Sequence, residues 1–429
     1  MNLIKQCFMV VTMLCCVAAM NSCVPGGDIS PKSPKDLVGD WVTEYPEDGV
    51  FEGAAYDRVI EHYSFSLNES GYFEQFLLND NELLGAKYAR GPKASFRYRL
   101  VGTGDIGVMA ASDGHYWKMK LADGVLIDPA DNTEYTRATE LMKKQMTFLV
   151  NCLEPEWLAE QLIGKWMIAD IEGEPATTNR KTVMTFVSPT TAFISRSFDK
   201  KDDDRTPPSP GERPDFVPGE GPGPGEGPGK PGWEEYEEFD VKIKGNLVTL
   251  DKVEQMGPRM SFVYCILDIS DTGFLSEYTL PEPPGGPQGE AGDKEVEKEK
   301  QRFEKIEANY DQAAIGLWEG KVTSADDEYT DGQLHRWELK DDGTYVYYRQ
   351  DENGKWVDDV NEYADYFIDG TLLCMRWKNV GEGQEEHREW WEIESIDDGV
   401  MKWKGLRMRE DGTTYTATFQ MTEIPAVAP

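Results

Sequence analysis

Leu37-Val38-Gly39-Asp40-Trp41, Leu162-Ile163-Gly164-Lys165-Trp166 and Ala314-Ile315-Gly316-Leu317-Trp318 are three copies of one short phrase. An opening signature repeated at such distances marks a tandem array of one domain type. Each copy leads into an extended stretch, a polar turn and a second extended stretch. Tyr63–Leu67 turns at Asn68–Gly71 into Tyr72–Phe76, Met184–Val187 turns at Ser188–Thr190 into Ala192–Phe198, and His335–Leu339 turns at Asp341–Gly343 into Thr344–Tyr348. Aromatic and branched residues alternating between Gly, Asn and Asp turns are the pattern of antiparallel hairpins. The units also finish alike, on Glu134-Tyr135-Thr136-Arg137, Glu277-Tyr278-Thr279-Leu280 and Thr414-Tyr415-Thr416-Ala417.

From tryptophan to tyrosine the units span 94, 112 and 97 residues, and the middle one is long for a visible reason. Residues 206–232 hold nine Pro and eight Gly in 27 positions, a composition that cannot pack. It reads as a loop, 202–233, inserted within the second domain, because a linker there would leave residues 162–199 too few strands for a core. Two segments read as helical. Thr139–Gln161 carries Leu141, Met142, Met146, Leu149, Leu153, Trp157 and Leu158, interrupted at Pro155, which predicts two helices. Asp293–Gln312 is highly charged with only Val296, Phe303, Ile306 and Tyr310 apolar, the pattern of a solvated helical spacer.

The expected organisation is a signal peptide at 1–23, a Pro/Gly/Ser tether at 24–36 and domains at 37–138, 162–281 and 314–425. Linkers at 139–161 and 282–313 join the domains. The leader reading rests on Lys5, the apolar run Phe8–Ala19 and the small residues before Cys23. Met20-Asn21-Ser22-Cys23 resembles a lipobox, implying cleavage before Cys23 and diacylation (palmitate) of that cysteine. Val24 after it resembles an outer-membrane sorting signal in a Gram-negative envelope, on either the periplasmic or the surface face.

Removing Lys5 from a chain of formal charge −35 leaves −36. Such acidity repels nucleic-acid phosphates and anionic lipid, so no nucleic-acid partner is expected and membrane contact runs through the lipid anchor only. Cys152, Cys265 and Cys374 remain in the body, an odd number without CxxC spacing and each in apolar surroundings. They read as buried small hydrophobes, neither a disulfide framework nor a metal site.

The L-x-G-x-W opening, about eight antiparallel strands and a closing Tyr-Thr strand resemble the bacterial lipocalin-like lipoprotein domains. The resemblance implies an all-β chain of three small up-and-down barrels. It also implies that Trp41, Trp166 and Trp318 pack across the barrel ends and that Gly39, Gly164 and Gly316 permit their close approach. No unit displays the further arginine-bearing or disulfide signatures of true lipocalins. Domain 2 yields only six or seven strands and reads as an incomplete or flattened barrel. Hairpin patterning is equally compatible with β-sandwiches.

Catalysis needs a constellation that this sequence does not spell. The four histidines, His62, His115, His335 and His387, never take ligand spacing, and there is no GxSxG. A carboxylate pair such as Glu389 and Glu392 is uninformative among 79 acids. Asp128–Asn132 and Asp326–Glu328 read as solvated turns ahead of calcium loops. No enzyme, metal or cofactor is expected.

The sharper feature is that seven of the twelve tryptophans fall in domain 3. On strand alternation Leu373, Met375 and Trp377 share a face, as do Trp391 and Ile393, and Met401 and Trp403. Pointed inward, Trp337, Met375, Trp377, Trp391, Ile393 and Trp403 wall a cavity for a small hydrophobic or glycan ligand. Arg376 and Arg388 fall on the opposite parity, as outward salt-bridge partners. The alternative function is a solid-barrelled structural or adhesive lipoprotein that binds an envelope protein.

Overall fold

The computed structural model describes residues 34–88, 95–101, 105–110, 116–154, 156–176, 181–196, 233, 235–253, 261–279, 298–324, 334–381, 386–408 and 414–425. The leader, Cys23, the tether up to residue 33, the Pro/Gly loop up to residue 232 and the Asp326–Glu328 turn lie outside them. The described residues are almost wholly antiparallel strands, in three sheets that follow the three phrases. Among them no helix is long and apolar enough to cross a membrane.

The first sheet runs through β1 (Gly39–Phe51), β2 (Ala54–Phe65), β3 (Ser70–Asn79), β4 (Glu82–Tyr88), β5 (Ser95–Val101), β6 (Asp105–Ala110), β7 (Tyr116–Ala122), β8 (Val125–Asp128) and β9 (Thr133–Arg137). β9 returns to β1 and β2 pairs β3, which closes an eight-stranded meander with β4 appended to β3 outside the ring. Its interior is filled by Trp41, Tyr63, Phe65, Phe96, Tyr98 and Tyr135 with aliphatic neighbours, many in edge-to-face pairs.

The second comprises β10 (Gly164–Ile171), β11 (Glu174–Pro175), β12 (Thr182–Ser188), β13 (Thr191–Arg196), β14 (Glu235–Lys244), β15 (Leu247–Lys252), β16 (Ser261–Ile269), β17 (Gly273–Thr279) and β18 (Lys298–Lys305). It too is a closed eight-stranded barrel, with β11 appended to β10.

The two-residue turns Glu52-Gly53, Asp123-Gly124, Glu172-Gly173 and Asp398-Gly399 all have φ between 49° and 87° at both positions. That is the mirror-image turn whose twist suits a hairpin.

β18 corrects two sequence expectations. Lys298-Glu299-Lys300-Gln301-Arg302-Phe303-Glu304-Lys305 is a strand, where its Glu, Lys, Gln and Arg content reads as helix. It pairs along its length with β17 on one side and β10 on the other, and Phe303 is fully buried against Phe274, stacked at 4.6 Å. Two ladders and one buried aromatic outweigh local helix preference. The second domain therefore closes and ends at Lys305 instead of 281, and Tyr278 lies on its penultimate strand, unlike Tyr135 and Tyr415. Residues 139–161 do contain two helices, α1 (Glu140–Cys152) and α2 (Trp157–Leu162), on either side of Pro155.

The third sheet holds β19 (Gly316–Ser324), β20 (His335–Leu339), β21 (Tyr345–Gln350), β22 (Trp356–Asp358), β23 (Asn361–Asp369), β24 (Leu372–Asn379), β25 (Glu386–Asp397), β26 (Val400–Met408) and β27 (Thr414–Ile424). Its strand order follows the first barrel, but no ladder joins β22 or β21 to β23. The sheet curls into a half-barrel whose edges meet at the Thr344–Asp365 bridge and at the Tyr366 amide, which donates to the Gly343 carbonyl at 2.7 Å. The open member of the array is thus domain 3, not domain 2.

The three phrases make one local structure. Trp41, Trp166 and Trp318 are each at most 1% exposed, and each Nε1 donates to the carbonyl four residues earlier: Leu37 at 2.8 Å, Leu162 at 2.6 Å and Ala314 at 2.7 Å. The last strand sets Arg137, Lys305 and Glu423 opposite them in register. Arg137 does supply a basic partner that the sequence reading did not place. Its guanidinium lies 4.0 Å over the Trp41 ring and donates to the carbonyls of Val38 and Asp36 at 2.5 Å. Gly39 has φ +121°, and a Cβ there meets Arg137 Nη1 at 2.6 Å. Gly39→Ala combines an unfavourable backbone region with displacement of Arg137, and we expect it to cost about 2 kcal/mol. Denaturant midpoints check this, and an unchanged midpoint rejects the role given to Gly39.

The chain divides into two compact bodies, residues 1–80 with 84–150, and residues 81–83 with 151–429. Within the second, the outer faces of β10, β12, β24 and β25 bury Met167, Val183, Leu372, Cys374 and Trp390 together. Trp233, expected to belong to the unpacked loop, stacks on Trp390 at 4.6 Å and donates from Nε1 to Asp369 at 2.8 Å. Cys152, Cys265 and Cys374 are buried thiols that take part in no disulfide.

Candidate functional site

Strand parity turns the aromatic residues of domain 3 into a wall. β19, β20 and β21 place Trp318, Trp337 and Tyr347 opposite one another, β24 and β25 pair Leu373 with Trp391 and Met375 with Glu389, and β26 and β27 pair Trp403 with Phe419. All but Glu389 belong to or pack against the domain 3 apolar core.

That core fills only part of the curl. Toward the partly joined seam lies a cavity of about 370 Å³. Trp337, Met375, Trp377 and Trp391, four of the six candidate ligand residues, line it. Ile393 and Trp403 do not, being 1% and 0% exposed inside the core behind it. Trp403 touches the wall edge-on through Trp337 at 5.3 Å.

Sequence reasoning missed the polar half of the site. Tyr345, Tyr347 and His335 line it from β20 and β21, with His335 Nδ1 2.7 Å from the Tyr347 hydroxyl. Asp359 and Asn361 come from the β22–β23 corner, and Glu389 from β25. The signal for Glu389 was present, since it stands two residues before Trp391 on one strand face. Nothing local marks Asp359 or Asn361, whose place depends on where the sheet fails to close.

Parity also separates the carboxylates that the sequence could pair. Glu389 faces the cavity, whereas Glu392 lies on the other face, 3.7 Å from Lys181. Burial pushes the Tyr345 phenol above its ordinary range, and the charge of Glu389 adds to this. Asn361 Oδ1 is a buried acceptor without a hydrogen-bond partner among the described residues. Asp359 pairs at the rim with exposed Arg349 at 3.1 Å. Arg376 and Arg388 point away from the cavity to Asp365 and Glu386.

A second polar constellation sits in the first body. His62 is 1% exposed, with Nδ1 3.0 Å from Glu74 and Nε2 3.1 Å from Asp40. Burial pulls its pKa down as the largest single influence, but hydrogen bonds and charge from Asp40 and Glu74 together hold it above the ordinary 6.5. Asp40 is held below 3.8, chiefly by the bond from His62 and against the opposing effect of burial. With both ring nitrogens engaged, the imidazolium acts as a structural bridge.

A raised histidine contributes stability that is complete below 6.5 and lost as pH rises through its folded value; a lowered aspartate contributes stability present above 3.8 and lost as pH falls through its own. We therefore expect this cluster's contribution to peak between those two values. Denaturation midpoints measured against pH for the native chain and His62→Gln check it, and a constant difference between the two across pH contradicts it.

The Asp128–Asn132 segment is a turn, in which Asp128 Oδ1 accepts from the Ala130 amide at 2.8 Å and Asp131 Oδ1 from Thr133 at 2.9 Å. No cluster of three or more metal-ligating side chains occurs among the described residues.

No family model matches the chain, and no curated protein matches it. Two solved structures of the vaccine antigen transferrin binding protein B (TbpB) from Haemophilus parasuis Hp5 are similar to it. The first, a double mutant, has 8% identity and a TM-score of 0.17 over 85% of this chain and 65% of that one. The second, a single mutant, has 8% identity and a TM-score of 0.16 over 87% and 68%. The chain thus spans just under two thirds of the first structure's length, and similarity this slight carries no functional inference. What the chain itself shows is an all-β array of two closed eight-stranded barrels and a curled half-barrel, an architecture that fits a lipocalin-like tandem.

Proposed function

We propose that this is a lipid-anchored, non-catalytic envelope protein of the lipocalin-like kind, acylated at Cys23 in a Gram-negative outer membrane. Its third domain binds a small hydrophobic or glycan ligand. The observation that carries the reading is the aromatic-walled cavity of about 370 Å³ beside the open seam, a size and lining suited to a small molecule. Trp337, Met375, Trp377 and Trp391 contact the ligand in this reading, while Ile393 and Trp403 hold the wall from behind. Trp41, Trp166 and Trp318, with Gly39, Gly164 and Gly316, close the ends of their sheets.

A second reading applies to domain 1, whose interior is filled by side chains and whose partner must therefore meet its outer surface. A cleft of about 880 Å³ outside β1 and β2, lined by Tyr45, Arg58, Ile60, Met142 and Met146 among others, favours an envelope protein there.

Native mass spectrometry of the chain freshly purified from a Gram-negative host tests the first reading. We expect added mass that disappears on denaturation and is absent from Trp377→Ala, whose partly buried ring is removable without emptying the core. A bare mass in both, together with no quenching of tryptophan fluorescence by hydrophobic or glycan probes, rejects it. Palmitate labelling lost in Cys23→Ser tests the anchor.

A further inference from the structure

β23 is the edge strand of the third sheet beside the seam. On one side it is laddered to β24 along its length. On the other it meets the β20–β21 hairpin at the Thr344–Asp365 bridge, and the Tyr366 amide and hydroxyl donate to the Gly343 and Lys340 carbonyls, both at 2.7 Å. A strand laddered on one side only opens more readily than one laddered on both.

The far end of that strand is gripped from domain 2. Phe367 lies edge-on to Trp233 at 6.3 Å and to Trp390 at 5.4 Å, beneath the Trp233–Trp390 stack. Asp369, the last residue of β23, accepts from Trp233 Nε1 on Oδ2 at 2.8 Å and from the Lys165 ammonium on Oδ1. Two donors from domain 2 thus share one carboxylate, and both bonds are charge-assisted. Lys165 stands on β10, and its carbonyl accepts from the Ile306 amide at 2.8 Å. The turn after β23 is seated on the same segment, with the Tyr310 amide donating to the Gly370 carbonyl at 3.0 Å. A Cβ at Gly370 would meet Ile306 Cγ2 at 2.5 Å, so the approach there is close.

We propose that Trp233 is a positioning residue for the seam of domain 3: with Lys165 it clamps Asp369 and Phe367, and so fixes how far β23 stands from β21 where the cavity opens. Strand geometry links the two places. β23 begins at Asn361 on the cavity and ends at Asp369 on the clamp. β24 and β25 turn Met375 and Trp391 into the cavity and Cys374 and Trp390 toward domain 2. A shift of the clamped face is therefore a shift of the cavity wall, carried by one set of strands. The clamp stands on its own contacts, and only its effect on a ligand rests on the binding reading above.

Amide hydrogen exchange of the full chain, followed by mass spectrometry, is the test. In Trp233→Ala we expect peptides covering β23 to exchange about tenfold faster, while those covering β26 and β27 stay within about twofold of the native chain. Trp233→Phe keeps a ring over Trp390 but lacks the donor to Asp369, so it should fall between the two. Lys165→Met removes the other donor and should speed the same peptides. Exchange in β23 that stays native-like in both Trp233→Ala and Lys165→Met overturns the proposal. Equal acceleration across β23, β26 and β27 also overturns it, because that is general destabilisation and no positioning. Should Trp233→Ala fail to fold, Trp233→Phe and Lys165→Met decide by the same criteria. The neutral fluorophore N-phenyl-1-naphthylamine then reads the cavity. Faster association with Trp233→Ala than with the native chain supports the link to the seam, and one rate in both overturns that link. Faster exchange in β23 with no fluorophore bound by either chain upholds the clamp and counts against the binding reading alone.

Discussion

Replacing Trp166 by alanine destabilises the second body by about 3–5 kcal/mol, the range for deleting a fully enclosed indole and leaving a cavity. Trp166 is fully buried, packs edge-on against Phe274 at 5.2 Å, lies 5.2 Å from the Lys305 ammonium and donates to the Leu162 carbonyl. Since Lys305 belongs to β18 and Leu162 ends α2, the residue ties the closing strand to the opening one and to the helix before it. Trp166→Phe keeps most of the volume but drops the indole N–H, so it should cost only about 1–2 kcal/mol. Denaturant unfolding of both variants separates packing from hydrogen bonding. A loss below about 1 kcal/mol for the alanine variant would show that the barrel end collapses around the gap.

The second large effect is expected at His62. His62→Ala leaves Glu74, itself 1% exposed, and Asp40 without the imidazolium that lies between them, and stranding a buried charge costs about 3–5 kcal/mol. The penalty should be greatest near pH 5.5, where the imidazolium is formed and Asp40 is ionised, and should shrink on the alkaline side as His62 deprotonates. Urea midpoints at pH 5.5 and pH 9 decide the matter. Equal losses at the two pH values would assign His62 a packing role and no electrostatic one. Glu74→Gln offers a milder check, since it keeps shape and a hydrogen-bond partner while removing charge.

The first hairpin of domain 1 was legible because alternation there is strong and its turn is spelled by Asn and Gly, at Asn68–Gly71. β18 was not legible. Its inward positions alternate correctly, but only Phe303 among them is large and apolar, and its partners on β17 and β10 lie 19 or more residues away in sequence. In the candidate site, Met375, Trp377 and Trp391 line the cavity from the faces that alternation gave them, and alternation is something a strand cannot evade without losing its ladder. Trp403 and Ile393 share that inward parity and still lie behind the cavity, because depth along the barrel axis is not encoded by alternation. Trp390 shows the converse. Its parity points outward, yet it is buried, because the neighbouring barrel and Trp233 cover it.

By itself, then, the sequence determined the number of units, their antiparallel class, the tight turns and the face on which each side chain stands, since all of these follow from backbone geometry within about ten residues. The tertiary structure decided which sheets close. Closure depends on whether the two edges of a sheet meet in register over long separations, as β10 and β18 do along their length, whereas in the third sheet the edges meet at the Thr344–Asp365 bridge and the Tyr366–Gly343 hydrogen bond without forming a ladder. It thereby decided where the cavity opens, and that Asp359, Asn361 and Glu389, unremarkable in a chain so rich in acids, share one aromatic-walled space.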